Sequence, residues 1–296
     1  MQFIRDIYTA GRAAGRPVIS FEFFPPKTEE GDYNLLDKTI PALRQTKPDY
    51  CSVTYGAGGS TRDKTLMIVD RIQGQHSLTA VAHLTCVCAT KEQIRDLLAQ
   101  IRALGVRNLL ALRGDPPDGG EFQMTPGGFE FSSQLVRFIR DQGDFSIGVA
   151  GFPEGHIACK EGKYADWQHL KEKVEAGADF VLTQLFFDNA DFHEFREHPT
   201  QKLGVNVPIV PGIVSILSST QIKRFTAMCG ARIPAPLAAK LEALGHDDAA
   251  VAEFGIEYAT RQCEDLLRAG VPGIHFYTLN KAQATVRILK NLGLAQ

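Results

Sequence analysis

Polar and ionisable residues recur at the ends of the apolar runs of this chain, and the first of them is an acid. Ser20-Phe21-Glu22-Phe23-Phe24-Pro25-Pro26 reads as a short strand stopped by two prolines, which cannot extend a central strand. Strand geometry puts Ser20, Glu22 and Phe24 on one face and Phe21 and Phe23 on the other. A carboxylate on so apolar a strand must be paired, hydrogen-bonded or near solvent. Later runs end in Thr54-Tyr55-Gly56, in His83 and Thr85, and in Arg113-Gly114-Asp115. Phe152, Glu154 and His156 follow the next run, and Gln184, Gly212 and Tyr277 close the last three. Each has a structural alternative. Glu22 could pair with Arg113 or a lysine, Arg113-Gly114-Asp115 could be a salt-bridged turn, and His83 or Gln184 could bond a neighbour. Their recurrence at the same kind of place is the pattern of a ligand site.

Several familiar chemistries lack their residues. No GxGxxG follows a strand and no GxxxxGK[ST] occurs, so neither a Rossmann site nor a P-loop is expected. The turn Gly56-Ala57-Gly58-Gly59-Ser60 lacks the fingerprint spacing. His83, Cys86 and Cys88 do not make a zinc set: the two cysteines share one strand face, His83 points to the other, and no second ligand pair has metal-site spacing. No metal site is expected. No serine sits in a GxSxG elbow.

The elements that must carry these residues alternate. Strands are expected over 18–24, 50–54, 78–84, 106–112, 146–150, 180–184, 207–213 and 273–277. Helices are expected over 35–43, 63–72, 132–140, 167–176, 191–197, 219–228, 249–269 and 282–292, with an extra one over 236–244. Ser60 or Thr61 could cap the second of these. Thr90-Lys91-Glu92-Gln93 is a capping-box pattern, and Ile94, Leu97, Leu98, Ile101 and Leu104 then form one buried stripe. Residues 1–16 read as a short helix and linker. Gly105, Gly177 and Gly270 each end a helix that leads directly into a strand. Eight alternations with no composition break point to a (β/α)8 TIM barrel, one domain over 1–296 with extra helices; the alternative is an open α/β sheet. In such a barrel these strand ends share the C-terminal mouth.

Of the 296 residues 44% are hydrophobic, ample for a core, and the net charge of −2 gives no bulk attraction to nucleic acid or to a membrane surface. No signal-peptide pattern opens the chain, and no apolar run approaches the ~20 residues of a membrane helix. The six cysteines form no disulfide framework, so a cytoplasmic protein with reduced thiols is expected.

The motifs at these strand ends resemble one family. SFEFFPP (20–26), SVTYGA (52–57), HLTC (83–86), ALRGD (111–115), FPEGH (152–156), LKEKVEAGA (170–178), TQLFFD (183–188), Pro211–Ile213 and HFYTLN (275–280) stand in the order and register of methylenetetrahydrofolate reductase in its compact bacterial form. The resemblance covers roughly residues 15–293. It implies an FAD-binding barrel without a Rossmann motif. It implies a ping-pong reaction, in which NADH or NADPH reduces the flavin and 5,10-methylenetetrahydrofolate then takes the hydride to give 5-methyltetrahydrofolate. Glu22 matches the family's general acid, which protonates N10 so that the five-membered ring opens to an N5 iminium. Its pKa is expected to be raised toward neutrality by its apolar strand.

The resemblance assigns further roles. Asp115 matches the catalytic aspartate near flavin and pterin, and Gln184 the pterin-binding amide. Tyr277 and Lys281 fall in the substrate region. FAD-binding positions carry over to Thr54, Tyr55, His83, Arg113, Gly114, Asp115, Ser132, Phe152, His156, Cys159, Asp166, His169 and Lys173. Arg113 and Lys173 suit pyrophosphate charge. Independently, Asp166, His169 and Lys173 are spaced to share one helix face. Homo-oligomers and a place in methyl-group supply for methionine synthesis are also implied. The chain departs from the pattern at Phe152, where tyrosine is common, at Ile157 and Ser215, where proline is common, and at Lys281, where arginine is common. A flavin-free folate barrel would be colourless, and a Schiff-base aldolase would need a lysine on an inner strand face; none lies in the eight expected strands. A binding-only protein would have no use for the acid in the first strand.

Overall fold

Alternating residues of the first strand face two different cores. In the computed structural model, which describes residues 1–56, 61–116 and 120–295, β1 (Val18–Phe23) turns Phe21 and Phe23 outward into the layer beneath the helices. Ser20 and Glu22, also buried, lie on the opposite face. Seven more strands follow: β2 (Tyr50–Val53), β3 (Thr79–Thr85), β4 (Asn108–Leu112), β5 (Ser146–Gly151), β6 (Phe180–Leu185), β7 (Ile209–Val214) and β8 (Gly273–Tyr277). All pair in parallel with their sequence neighbours, and β8 closes on β1. Strands covered on both faces can be apolar throughout, which is why these read as near-continuous hydrophobic runs. The expected barrel is the one observed.

The N-terminal segment is a plug rather than a linker. Helix α1 (Ile4–Ala13) buries Ile4, Ile7 and Tyr8 against Val18, Tyr50, Val81, Leu110, Phe180, Leu182 and Val210, closing the N-terminal end of the barrel. The spacing i, i+3, i+4 puts these side chains on one stripe. Two polar anchors fix the helix: the Ile4 N–H donates to Asn108 Oδ1 at 3.0 Å and the Arg5 N–H to Ser146 Oγ at 3.1 Å. The other end of the barrel is left to the chemistry.

The helix expected over 35–43 is part of a longer helical run. It consists of α2 (Glu29–Tyr33), a π-helical stretch over Asn34–Thr39, and α3 (Ile40–Arg44). Thr28 caps its start through Gly31 N–H. Pro41 has no N–H for the carbonyl four residues back, and the wider turn just before it absorbs that loss. Further on come α4 (Arg62–His76), α5 (Lys91–Ala103), α6 (Ser132–Gln142), α7 (Lys163–Glu175) and α8 (Asn189–Lys202). The chain then forms α9 (Ser219–Cys229), the extra α10 (Ala235–Leu244), α11 (Asp248–Arg268) and α12 (Ala282–Asn291), which packs beside α11 and α3.

Local signals in the sequence are borne out in most places. Thr90 and Gln93 form the reciprocal capping box, and Gly105, Gly177 and Gly270 take positive φ of 71°, 117° and 71° between helix and strand. Leu104 does not join the buried stripe of α5. It sits at the C-cap, where the backbone has left the helical path, and is 37% exposed. Thr61 occupies the N-cap of α4, but its hydroxyl accepts the Gly56 N–H at 2.7 Å rather than a helix N–H. The glycine-rich turn over 57–60, Ser60 with it, lies outside the described residues. Among the described residues no helix is long and apolar enough to cross a membrane.

Gly212 shows how tightly the barrel wall is drawn. A Cβ there would meet the Thr183 carbonyl oxygen at 2.3 Å and the Tyr277 ring at 2.6 Å. Both neighbours belong to paired strands and cannot swing away. Gly212→Ala is expected to cost ~1–3 kcal/mol through overpacking, read as a drop in Tm of several degrees. An unchanged melting curve would contradict the packing described.

Candidate active site

Glu22 stands at the C-terminal mouth of the barrel, with two histidines and a serine around one of its oxygens. Ser52 Oγ on β2 donates to Glu22 Oε2 at 3.4 Å. His275 Nε2 on β8 lies 3.4 Å from the same oxygen, as does His83 Nε2 on β3. Only the His275 contact has hydrogen-bond geometry; His83 Nε2 is buried without a hydrogen-bond partner among the described residues. The clustering follows from register. Ser52 is the cross-strand neighbour of Glu22 in β2, and His275 is the neighbour of Ser20 in β8, so their side chains share the interior face.

The electrostatics differ from the sequence expectation. Burial pushes the Glu22 carboxyl up, but the hydrogen bond from His275 and the charge of His83 outweigh it and hold it down, at about 2. An apolar strand alone would raise this acid. The reversal comes from imidazoles on strands 3 and 8.

The backbone of Glu22 is also clamped. Thr278 Oγ1 donates to the Glu22 carbonyl at 2.7 Å. Asn280 pairs with Phe24 twice, accepting its N–H at 2.9 Å and donating to its carbonyl at 2.7 Å. Leu279 and Asn280 adopt left-handed φ of 51° and 57° to make that turn. The HFYTLN stretch therefore holds the backbone just after the acid, at the Glu22 carbonyl and at Phe24.

A second group of residues forms a cationic cradle across the mouth. Gly114, at φ 85°, lets the Arg113-Gly114-Asp115 turn lie against β3, where a Cβ would strike Val87 at 2.6 Å and Thr85 at 2.8 Å. The Arg113 carbonyl accepts from Cys86 N–H at 3.1 Å and Val87 N–H at 3.0 Å. Its guanidinium lies over the Phe122 ring at 4.9 Å. Asp115 is exposed. Lys173 of α7 is buried and donates to the Ala150 carbonyl at 2.6 Å, with its ammonium 5.8 Å from the Phe152 ring. Burial pulls Lys173 down to about 8 against the pull of Asp166. Burial likewise raises Asp166 and lowers His156, and Arg113 adds to the latter. The Phe152 ring meets the His156 ring edge-on at 4.6 Å, and Trp167 Nε1 donates to the Phe152 carbonyl at 2.9 Å.

The remaining sequence candidates fall in different places. Thr54 and Tyr55 are half-buried at the end of β2, with burial pushing Tyr55 up to about 12. Gln184, half-buried, folds its Oε1 onto the Leu185 N–H at 2.9 Å. Tyr277 donates its hydroxyl to the Thr183 carbonyl at 2.6 Å, so that group is committed to the barrel wall. Lys281 is exposed at the N-cap of α12. Ser132 opens α6, and Cys159 Sγ donates to the Gly162 carbonyl at 3.5 Å. Asp166 and Lys173 share the inward face of α7, whereas His169 is exposed and pairs with Glu172 at 3.4 Å. Seven residues bring a helix back to the same face, but three leave it about 60° off, enough to turn His169 outward.

Sequence reasoning gave no role to His275, Ser52 or the Thr278–Asn280 clamp. The signal was present in HFYTLN. Two polar residues two apart, His275 and Tyr277, alternate with Ile274 and Phe276, and strand alternation puts both on the interior face with Glu22.

An eight-stranded parallel barrel whose acid and cationic groups gather at the C-terminal mouth has the layout of a TIM-barrel enzyme. The chain belongs to the methylenetetrahydrofolate reductase family, whose model matches residues 7–293. It is 43% identical to methylenetetrahydrofolate reductase (NADH) 1 of Arabidopsis thaliana over 95% of this chain and 49% of that one. It is 38% identical to 5,10-methylenetetrahydrofolate reductase of Escherichia coli over 95% of this chain and 92% of that one. The chain thus spans about half the length of the plant relatives and most of the bacterial one. Among solved structures it resembles a Clostridium thermocellum protein described as binding two copies of 5-methyl-5,6,7,8-tetrahydrofolic acid. The TM-score is 0.64 over 93% of this chain and 94% of that one. At 16% identity that likeness is one of fold.

Proposed function

We propose that this chain reduces 5,10-methylenetetrahydrofolate to 5-methyltetrahydrofolate with NADH or NADPH, using FAD, as one catalytic barrel over 1–296. The observation that carries this reading is the buried Glu22 at the mouth, gripped by His275 and Ser52, facing a cationic cradle in a chain of this family.

The residues present suit FAD. His83 Nε2 and Thr85 Oγ1 are buried polar atoms without hydrogen-bond partners among the described residues, as expected of groups that a ligand satisfies. Gly114 lets the Arg113 turn lie close against Thr85 and Val87, which fixes where the guanidinium starts. Arg113 and Lys173 would hold the diphosphate, Asp166 a ribose or adenine, and Thr54, His83 and His156 the ring region. When bound, the flavin supplies hydride transfer between nicotinamide and folate.

The chain's own residues do the rest. Glu22 delivers a proton to N10 of the folate, which opens the five-membered ring and leaves an electrophilic iminium at N5. Gln184 releases its backbone contact to meet the pterin edge with one acceptor and two donors. Asp115 would supply negative charge near the bound flavin, which would favour hydride departure and steady the cationic folate. Homo-oligomeric assembly and a cytoplasmic setting belong to the same reading.

Lys173 gives this reading a pH signature. Its ordinary value of 10.5 has fallen to about 8, so above that pH the ammonium is increasingly neutral in the free protein. A bound diphosphate favours the charged form and pulls the value back up. FAD binding near pH 8 should therefore take up a proton, and affinity should fall as pH rises through 8. Calorimetry in two buffers of different ionisation enthalpy reads this directly; zero uptake would remove Lys173 from the diphosphate site.

The activity itself is tested by incubating the protein with FAD, NADH and methylenetetrahydrofolate and following the folate by mass spectrometry. Stoichiometric 5-methyltetrahydrofolate is expected. NADH oxidation without that product would point to another acceptor.

A further inference from the structure

We propose that Glu154 is a positioning residue that clasps the turn between α9 and α10 to the cofactor loop, so that FAD bound on one side of the mouth steadies the helices on the other. This rests on the reading of the loop after β5 as part of an FAD site. Glu154 lies between Phe152 and His156 in FPEGH, yet neither the acid chemistry nor the cationic cradle uses it. Its side chain reaches a different part of the fold.

The loop after β5 is a tight turn whose side chains go to different places. Gly155 donates its N–H to the Phe152 carbonyl at 3.0 Å and takes φ 83°, which residues with a side chain rarely adopt. Phe152 and His156 bring their rings together beside Lys173. Glu154, half-buried, instead accepts the Arg232 backbone N–H with both carboxylate oxygens, at 2.9 and 3.2 Å. Such a contact is charge-assisted. Three residues on, Ile157 packs against Gly230, where a Cβ would meet the Ile157 Cβ at 3.2 Å. The Arg232 side chain extends the link. Its guanidinium lies 2.8 Å from Asp191 Oδ2 and 3.5 Å from Asp188 Oδ2, and the other oxygen of Asp188 caps α8 by accepting the Ala190 N–H. Arg232 thus joins the cofactor loop, the start of α8 and the α9–α10 turn.

The clasp acts on helices that have a small core of their own. Ile222 of α9 and Leu237 and Leu241 of α10 meet Leu185 and Val214 at the ends of β6 and β7, with Tyr277 at the edge, in a cluster apart from the main core. Helices seated on a small separate cluster open locally at less cost than the barrel does. Glu154 and Ile157 tie them to the loop whose rings would meet the cofactor. The cradle draws no residue from α9 or α10, so the effect of FAD on these helices passes through this contact. Linkage makes the effect mutual: a folate held on the Gln184 and Tyr277 side strengthens FAD by the same factor by which FAD strengthens the folate.

The test starts with a fluorescence titration of FAD, since a protein that binds no FAD would sink that reading and the clasp with it. Hydrogen–deuterium exchange then compares holoenzyme with flavin-free protein. In the wild type the amides of α9 and α10 should exchange roughly fivefold or more slowly with FAD bound, and 5-methyltetrahydrofolate should tighten FAD by a similar factor. In Glu154→Ala both effects should vanish, and FAD should dissociate faster. Glu154→Gln keeps an oxygen for the Arg232 N–H and should restore most of the protection. Wild-type helices that exchange alike with and without FAD would overturn the proposal with no variant needed. So would a Glu154→Ala protein that binds FAD weakly yet keeps the protection and the coupling, which is what a role confined to the loop gives. If 5-methyltetrahydrofolate does not bind at all, the folate reading fails, and the exchange data still decide the clasp.

Discussion

Glu22→Gln should bind FAD and be reduced by NADH, yet pass its electrons to methylenetetrahydrofolate ~10²–10⁴ times more slowly, the usual contribution of a positioned acid. Glutamine has the same shape and keeps an oxygen for Ser52 and His275, so the barrel should survive. What it cannot do is deliver a proton to N10. Nothing in nicotinamide oxidation needs that proton, so the two half-reactions separate. Stopped-flow absorbance of the flavin measures each in turn. A folate half-reaction at the wild-type rate would remove Glu22 from the chemistry. The linkage has a definite sign: with its folded value held at about 2, below the ordinary 4.5, Glu22 contributes stability that is present above pH 4.5 and fades as pH falls toward 2.

Lys173→Met should weaken FAD by roughly 30-fold or more while changing fold stability little. Losing one partner of a buried charged contact costs ~2–5 kcal/mol in binding. The fall of Lys173 from 10.5 to about 8 corresponds to about 3 kcal/mol of strain on its charged form. Methionine relieves that strain and packs against Phe152. Against this, the Ala150 carbonyl loses its donor, at ~1–3 kcal/mol, and Asp166 loses the cation that most favours its charged form. These terms nearly cancel. Flavin fluorescence titration and a thermal melt of the flavin-free protein separate the two effects. Unchanged FAD affinity would contradict the cradle.

Much of this was legible in the sequence, for physical reasons. Eight apolar runs punctuated by helix-capping glycines specify strands and crossovers, and period-two alternation puts Glu22 inside and Phe21 and Phe23 outside. Capping chemistry located the start of α5 to the residue. Less legible was everything that depends on barrel closure. His275 is 253 residues from Glu22 and becomes its neighbour because β8 pairs with β1. Without that contact an acid on SFEFF looks destined for a raised pKa; with it the sign reverses. The plug was missed because an amphipathic ten-residue helix looks the same whether it lies beside a barrel or under one. His169 was grouped with Asp166 and Lys173 by spacing alone, which cannot say where a 60° offset crosses from interior to solvent.

The most direct test of the central claim is an anaerobic visible spectrum of the protein with FAD, taken before NADH, after NADH, and after methylenetetrahydrofolate. The account predicts a bound flavin band that bleaches with NADH and returns with the folate. A band that bleaches and does not return would contradict the folate as acceptor, and a protein that binds no flavin would contradict the site itself.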